Sequence, residues 1–177
     1  GRGALARAVK PANPDRLRIA WWSNAPWTAT GYGQQTAQII PRFAKEGHQV
    51  AVLCNYGLEG SKSTWNGFQM YPRGIAGYGD EVIVAHAMDW AHKDLSTPTV
   101  IGTLFDVWVL KNHGLKDWPH YFSWVPVDHQ PAPPEVLAWC GLPNVKPVAM
   151  SKFGARMLEH ANIPPLYAPH GIESVFK

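Results

Sequence analysis

The sequence predicts an α/β domain with a doubly wound, mainly parallel sheet, and three observations carry that expectation. From Leu17 onward, short apolar runs alternate with helix-like stretches; several runs are apolar on both faces; and the 16 glycines and 16 prolines fall mostly at the turns between strand and helix. Strands buried on both faces belong to a parallel sheet covered by helices on each side. In such a sheet the ligand crevice lies beyond the carboxyl ends of the strands.

Taken in order, Leu17 to Ser23 reads as a buried strand, and Gly33 to Glu46 as a helix stopped by Gly47, a residue suited to the left-handed conformation that closes helices. Gln49 to Leu53 is a second strand. The polar, glycine-bearing stretch from Asn55 to Asn66 reads as a loop excursion before a short strand at Phe68 to Tyr71. Candidate strands follow at Val82 to Ala85, Thr99 to Leu104, Tyr121 to Val125, Pro147 to Met150 and Leu166 to Ala168. Glu135 to Cys140 reads as a short helix, and Lys152 to Ala161 as a clearer one that begins after Ser151, a favourable N-cap. There is no internal repeat and no low-complexity tract.

A length of 177 residues fits about one domain, and 46% apolar with 16% charged residues places the chain among globular proteins rather than disordered or rod-like ones. The net charge of +3 is unevenly placed. Arg2, Arg7, Lys10, Arg16 and Arg18 face Asp15 alone in the first 18 residues, whereas the remainder carries 11 basic and 12 acidic residues. A body without cationic excess is a poor partner for a phosphate backbone, so nucleic acid is not expected. Residues 1–15 are expected to form a basic tail outside the fold, residues 16–171 the domain, and residues 172–177 the start of a connection. Cys54 and Cys140 make no disulfide framework and no CxxC pair, which favours a reducing, cytoplasmic setting. No apolar run reaches the length of a membrane span.

Five segments carry chemistry. In Ser23 to Thr36 a long loop leads into a helix through Gly31 and Gly33, which would let backbone N–H groups approach a phosphate at the positive end of the helix; a plain flexible turn is the competing reading. It is no dinucleotide fingerprint: Thr36 stands where the third glycine belongs, and the second strand ends at Leu53-Cys54-Asn55 without an acid for a ribose hydroxyl. In Asp80 to Trp90, His86 and Asp89 are expected just past a strand's carboxyl end, where an imidazole can move a proton near neutrality; a helix cap is the alternative. Asp106 and Asp128 follow two further strands, either as acceptors for sugar hydroxyls beside aromatic rings or as N-caps. Pro169-His170-Gly171-Ile172-Glu173 closes the chain after the last strand. There is no HxxxH, HExxH, D-x-D, GxxxxGK[ST] or GxSxG, so metal ligands, a P-loop and a hydrolase nucleophile are all without a visible signature.

Taken together and in order, these segments resemble the amino-terminal half of retaining, GT4-like glycosyltransferases of the GT-B architecture. The likeness rests on the glycine-bearing first loop, the Asp80 to Trp90 segment, Pro126-Val-Asp128, Val148-Ala-Met-Ser151-Lys-Phe-Gly154 and Pro169-His170-Gly171-Ile172-Glu173, and covers residues 16 to 176. The resemblance implies a Rossmann-like domain that binds mainly the acceptor, paired with a second domain that grips a nucleotide-sugar. It implies transfer of a sugar to an acceptor hydroxyl with retention, no cofactor and no obligatory metal. The roles it carries over are Gly31 and Gly33 near the donor diphosphate and His86 near the transferred sugar; beside them Tyr32, His170 and Gly171 are expected on the donor side, and Asp106 and Asp128 with His86 in catalysis. Trp27, Asp89, Trp90 and His129 fall on the acceptor side. The sequence departs from the family at Met88, where a histidine stands in the family's pattern, and His86 matches the preceding histidine; Asp106 or Asp128 could supply the contact instead. No Glu-x7-Glu segment for gripping a donor is present, and the chain ends where the second domain is expected to begin. The alternative is a stand-alone carbohydrate- or nucleotide-binding module.

Overall fold

The computed structural model describes residues 15–111 and 113–171, except for the side chain of His113. The expected tail before Asp15 and the connection after Gly171 lie outside the described residues. Eight strands, β1 (Arg18–Asn24), β2 (Gln49–Tyr56), β3 (Ser63–Trp65), β4 (Phe68–Tyr71), β5 (Thr99–Leu104), β6 (Tyr121–Val125), β7 (Val145–Ala149) and β8 (Leu166–Tyr167), form one sheet in the order β3-β4-β2-β1-β5-β6-β7-β8. Every pairing is parallel except β3 with β4. Four helices cover it: α1 (Gly31–Lys45), α2 (Ile83–His92), α3 (Pro134–Cys140) and α4 (Lys152–His160). The chain is therefore an α/β, Rossmann-like domain, and among its described residues no helix is long and apolar enough to cross a membrane.

The side-chain period of two along each strand divides the core between the two faces. Ile19, Trp21, Val50, Val52, Cys54, Met70, Leu104 and Trp124 pack under α1 through Ile40 and Phe43. Ala20, Trp22, Leu53, Tyr71 and Ile101 face the other way, against Ile83 and Ala87 of α2, Val136 and Trp139 of α3, and Met157 and Leu158 of α4. That distribution follows from handedness. The β1–α1–β2 unit moves one way along the sheet and the units that carry α2, α3 and α4 move the other, so right-handed crossovers leave α1, of the described helices, by itself on its face. Cys54 and Cys140 lie in opposite layers, and both are buried free thiols.

Three elements differ from the sequence-based expectation. Val82 to Ala85 is not a strand: Asp80–Val82 forms a 3₁₀ turn and Ile83 starts α2. The buried positions there, Ile83 and Ala87, are four apart, which is helical spacing, and so short an apolar run does not separate the two periods by itself. Inside the expected loop Asn55 to Asn66, Ser63–Trp65 pairs back on β4 as a two-residue hairpin, Trp65 opposite Phe68. Its turn is Asn66-Gly67, both at positive φ (48° and 82°), the pair that best fits the twist of a tight hairpin. Finally, α1 begins at Gly31 rather than Gly33, because Thr30 is its N-cap and accepts from the Gly33 N–H. Ser151 caps α4 in the same way, accepting from Gly154.

Candidate functional site

The strand order reverses direction at β1 and β5, so the crevice of this sheet opens beyond Asn24 and Leu104. The loop from Ala25 to Thr30 is built as a rigid piece. Ala25 N–H donates to Tyr56 O (2.8 Å), the Thr28 hydroxyl to Ala25 O (2.7 Å), and Asn24 Nδ2 to Thr30 Oγ1 (2.9 Å). Thr30 Oγ1 also receives the Gly33 N–H at 3.0 Å, which leaves the first N–H groups of α1, at Gly31 and Tyr32, without intrahelical partners.

The two glycines differ in kind. A Cβ on Gly31 would meet nothing within 4 Å, so this exposed residue offers open backbone at the positive end of a fifteen-residue helix. A Cβ on Gly33 would stand 2.1 Å from Thr28 Oγ1 and 2.7 Å from Thr28 O. Gly33 is buried and its N–H is occupied, so loop packing, not approach to a phosphate, accounts for its lack of a side chain.

Tyr32, in the first turn of α1, reaches the β5 terminus and donates from its hydroxyl to Asp106 Oδ2 at 3.5 Å. Burial, chiefly, and the carboxylates of Asp106 and Asp128 push the Tyr32 phenol up to about 12, so it remains a proton donor at neutral pH. Asp106 precedes a 3₁₀ turn, Val107–Val109, without capping it by its side chain, and Asp128 is paired with His129 Nδ1 at 2.5 Å. Both acids are exposed. From the far side, the segment after β8 folds over the start of α1. Trp124 Nε1 donates to Ala168 O (2.7 Å), the His170 ring meets Trp124 edge-on at 4.7 Å, and Gln35 Nε2 donates to Gly171 O (3.0 Å). His170 thus shares an open groove of about 390 Å³ with Thr30, Gly31, Tyr32, Gln34 and Gln35. Burial lowers its pKa, which favours the neutral imidazole.

The structure therefore gathers Gly31, Tyr32, His170 and Gly171 at one place, with Asp106 and Asp128 acting electrostatically on Tyr32. It places the α2 residues differently. His86 lies on a helix, not past a strand; its Nε2 is 2.9 Å from Pro72 O and its ring packs 4.9 Å from Tyr71. Burial lowers its pKa. Asp89, also helical, accepts from Lys62 (2.8 Å) and from the Tyr71 hydroxyl (2.6 Å). Trp90 lies under the Arg18 guanidinium, 4.0 Å from the ring centre, and its carbonyl accepts from Arg18 Nη2 at 2.8 Å. Arg18 opens β1, so Trp90 sits at the amino end of the sheet, opposite the crevice. Trp27 is exposed, with its Nε1 donating to Gly57 O at 3.0 Å.

Thr30, Gln34 and Gln35 were not expected in the site. The signal was available in Thr30-Gly31, a capping residue followed by a helix start, and a helix begun two residues earlier would have found it. Among the described residues no group of three His, Cys, Asp or Glu is arranged to hold a metal ion. In comparisons with known proteins, the sequence matches no protein-family model and no curated protein.

Proposed function

We propose that this chain is the acceptor-side half of a GT-B, GT4-like retaining glycosyltransferase, which moves a sugar from a nucleotide-sugar to an acceptor hydroxyl. The observation that carries the reading is the meeting of Gly31, Tyr32 and His170 in one groove at the N-terminus of α1, with Asp106 and Asp128 beside the same tyrosine. The unpartnered N–H groups of the first turn and the helix dipole suit a diphosphate. The protonated Tyr32 hydroxyl and a neutral His170 donate to its oxygens or to the sugar. Asp106 and Asp128 accept from hydroxyls of the transferred sugar and the acceptor, and His129 orients Asp128.

In the reaction the bond from the anomeric carbon to the diphosphate oxygen breaks as the acceptor oxygen bonds to that carbon on the same face. The nucleoside diphosphate leaves with the electron pair, and the acceptor proton passes to it or to a neighbouring carboxylate. Charge building on the leaving oxygens is what the start of α1 is placed to stabilise. His86, engaged on Pro72, is left out of this set. A second, nucleotide-gripping domain completes the cleft in this reading, and the setting is cytoplasmic.

Gly31→Asp tests it. The substitution fits sterically and adds an acid to a helix start, so the fold should hold or gain slightly. Titration of UDP, GDP and ADP into the chain, followed by amide NMR, should shift Gly31 and Tyr32 in the wild type, and Gly31→Asp should weaken binding at least ten-fold. Diphosphates that bind equally well to both proteins would remove the phosphate site from the reading.

A further inference from the structure

Large aromatic side chains left on a protein surface mark a binding face when they cluster. Trp27, Tyr56, Tyr78 and Trp108 are 44% to 55% exposed. All four stand at the carboxyl ends of β1, β2, β4 and β5 or in the segments that follow, and these strands are adjacent in the sheet. The segments are joined to one another. The Trp27 indole N–H binds Gly57 O (3.0 Å), Arg73 N–H binds Leu58 O (3.0 Å), and Tyr78 meets Trp108 edge-on at 6.0 Å. The aromatics thus form a held rim rather than scattered loop residues. Two of them flank the proposed reaction centre: Trp27 lies in the loop that leads into Tyr32, and Trp108 is two residues beyond Asp106.

We infer that this rim binds a glycan chain as the acceptor, its sugar rings stacked on Trp27 and Trp108 so that an intervening unit presents its hydroxyl to the Tyr32–Asp106 pair. This rests on the transferase reading and names its acceptor class. A pyranose offers an apolar C–H face and a girdle of hydroxyls, so its receptor needs an aromatic plate with polar groups at the edge. Trp108 supplies that arrangement. It walls a groove of about 290 Å³ whose other side chains include Glu135, Lys111 and Lys116 over Ala138 and Leu142. At Trp27 the hydrogen bond to Gly57 sets the plane of the indole. Asp106, two residues before Trp108, and Glu135 in its groove add carboxylates that accept from sugar hydroxyls.

The test uses the whole chain and five linear hexasaccharides: β-1,4-glucan, α-1,4-glucan, β-1,4-N-acetylglucosamine, α-1,6-mannan and β-1,4-xylan. The indole N–H signals of the nine tryptophans are followed by NMR. At least one glycan should shift the Trp27 and Trp108 signals. Trp27→Ala and Trp108→Ala should each weaken that binding about ten-fold, and the Phe variants should stay within about three-fold, all read on protein that keeps a cooperative melting transition. If no glycan of the panel moves either indole at about 1 mM (the upper end of the usual range for substrates), or if binding survives both Ala variants, the inference is overturned. Shifts produced instead by phosphatidylglycerol vesicles would assign the rim to a membrane and overturn it equally. Diphosphate shifts at Gly31 and Tyr32 are read in the same samples, so loss of the glycan site and loss of the transferase reading are separate results.

Discussion

Replacing Gly33 by alanine adds one methyl group at the most crowded point of the β1–α1 loop. The new carbon would stand 2.1 Å from Thr28 Oγ1, 2.7 Å from Thr28 O and 2.9 Å from Ala25 O. The hydroxyl could rotate away, but it would surrender its 2.7 Å bond to Ala25 O. The two carbonyls are main chain and cannot rotate, so the loop must move off α1. Forcing a methylene-sized group into a filled site costs about 1–3 kcal/mol, and a lost hydrogen bond about 0.5–1.5 kcal/mol more. The better helix propensity of alanine returns about 1 kcal/mol, which leaves a net loss of about 0.5–3.5 kcal/mol. Gly31→Ala, two residues earlier, meets nothing within 4 Å and should be neutral or slightly stabilising. Urea unfolding followed by tryptophan fluorescence measures both variants, and equal slopes would make the midpoints comparable. A Gly33→Ala protein within about 0.5 kcal/mol of the wild type, or one more stable than Gly31→Ala, would refute the assignment of Gly33 to packing.

Two further outcomes follow from the same site. Thr30→Ala removes the oxygen that receives both the Gly33 N–H and Asn24 Nδ2, and should cost about 1–2 kcal/mol with faster hydrogen exchange at the Gly33 amide; Thr30→Ser should restore both, and a Ser variant as weak as Ala would count against the cap. His86 should titrate below the ordinary histidine value of about 6.5, because burial opposes its charged form. Between its folded and unfolded pKa values the unfolded chain binds more protons, so the contribution of His86 to stability is full above about 6.5 and declines as pH falls toward the folded value. Imidazole NMR checks this, and a midpoint at or above 6.5 would contradict the buried, Pro72-bound ring.

Much of the fold was legible because local chemistry and period agree. Thr99–Leu104 and Tyr121–Val125 are apolar runs of strand length bounded by turn residues, and Ser151 followed by the apolar spacing of Gly154, Met157 and Leu158 announces a capped amphipathic helix. The Asn66-Gly67 hairpin was equally open to local reading. Val82 to Ala85 was not, because four apolar residues satisfy either period and only the packing of Ile83 and Ala87 against the sheet selects the helix.

For the site, the sequence by itself determined which residues with useful chemistry lie near strand ends: Asp106 and Asp128 after β5 and β6, Gly31 and Tyr32 at the helix start that follows β1, and His170 after β8. Which of them meet was decided only by the strand order, since adjacency across a parallel sheet depends on crossovers of dozens of residues and leaves no local mark. The order β2-β1-β5-β6 puts Tyr32 within reach of Asp106, and the return of the chain after β8 carries His170 onto α1. The same packing gives the Asp89 carboxylate to Lys62 and Tyr71, and sets Trp90 under Arg18, which donates to the Trp90 main-chain carbonyl. A residue type states what a group can do, but the dielectric, the partners and the distances that let it act are properties of the packed chain alone.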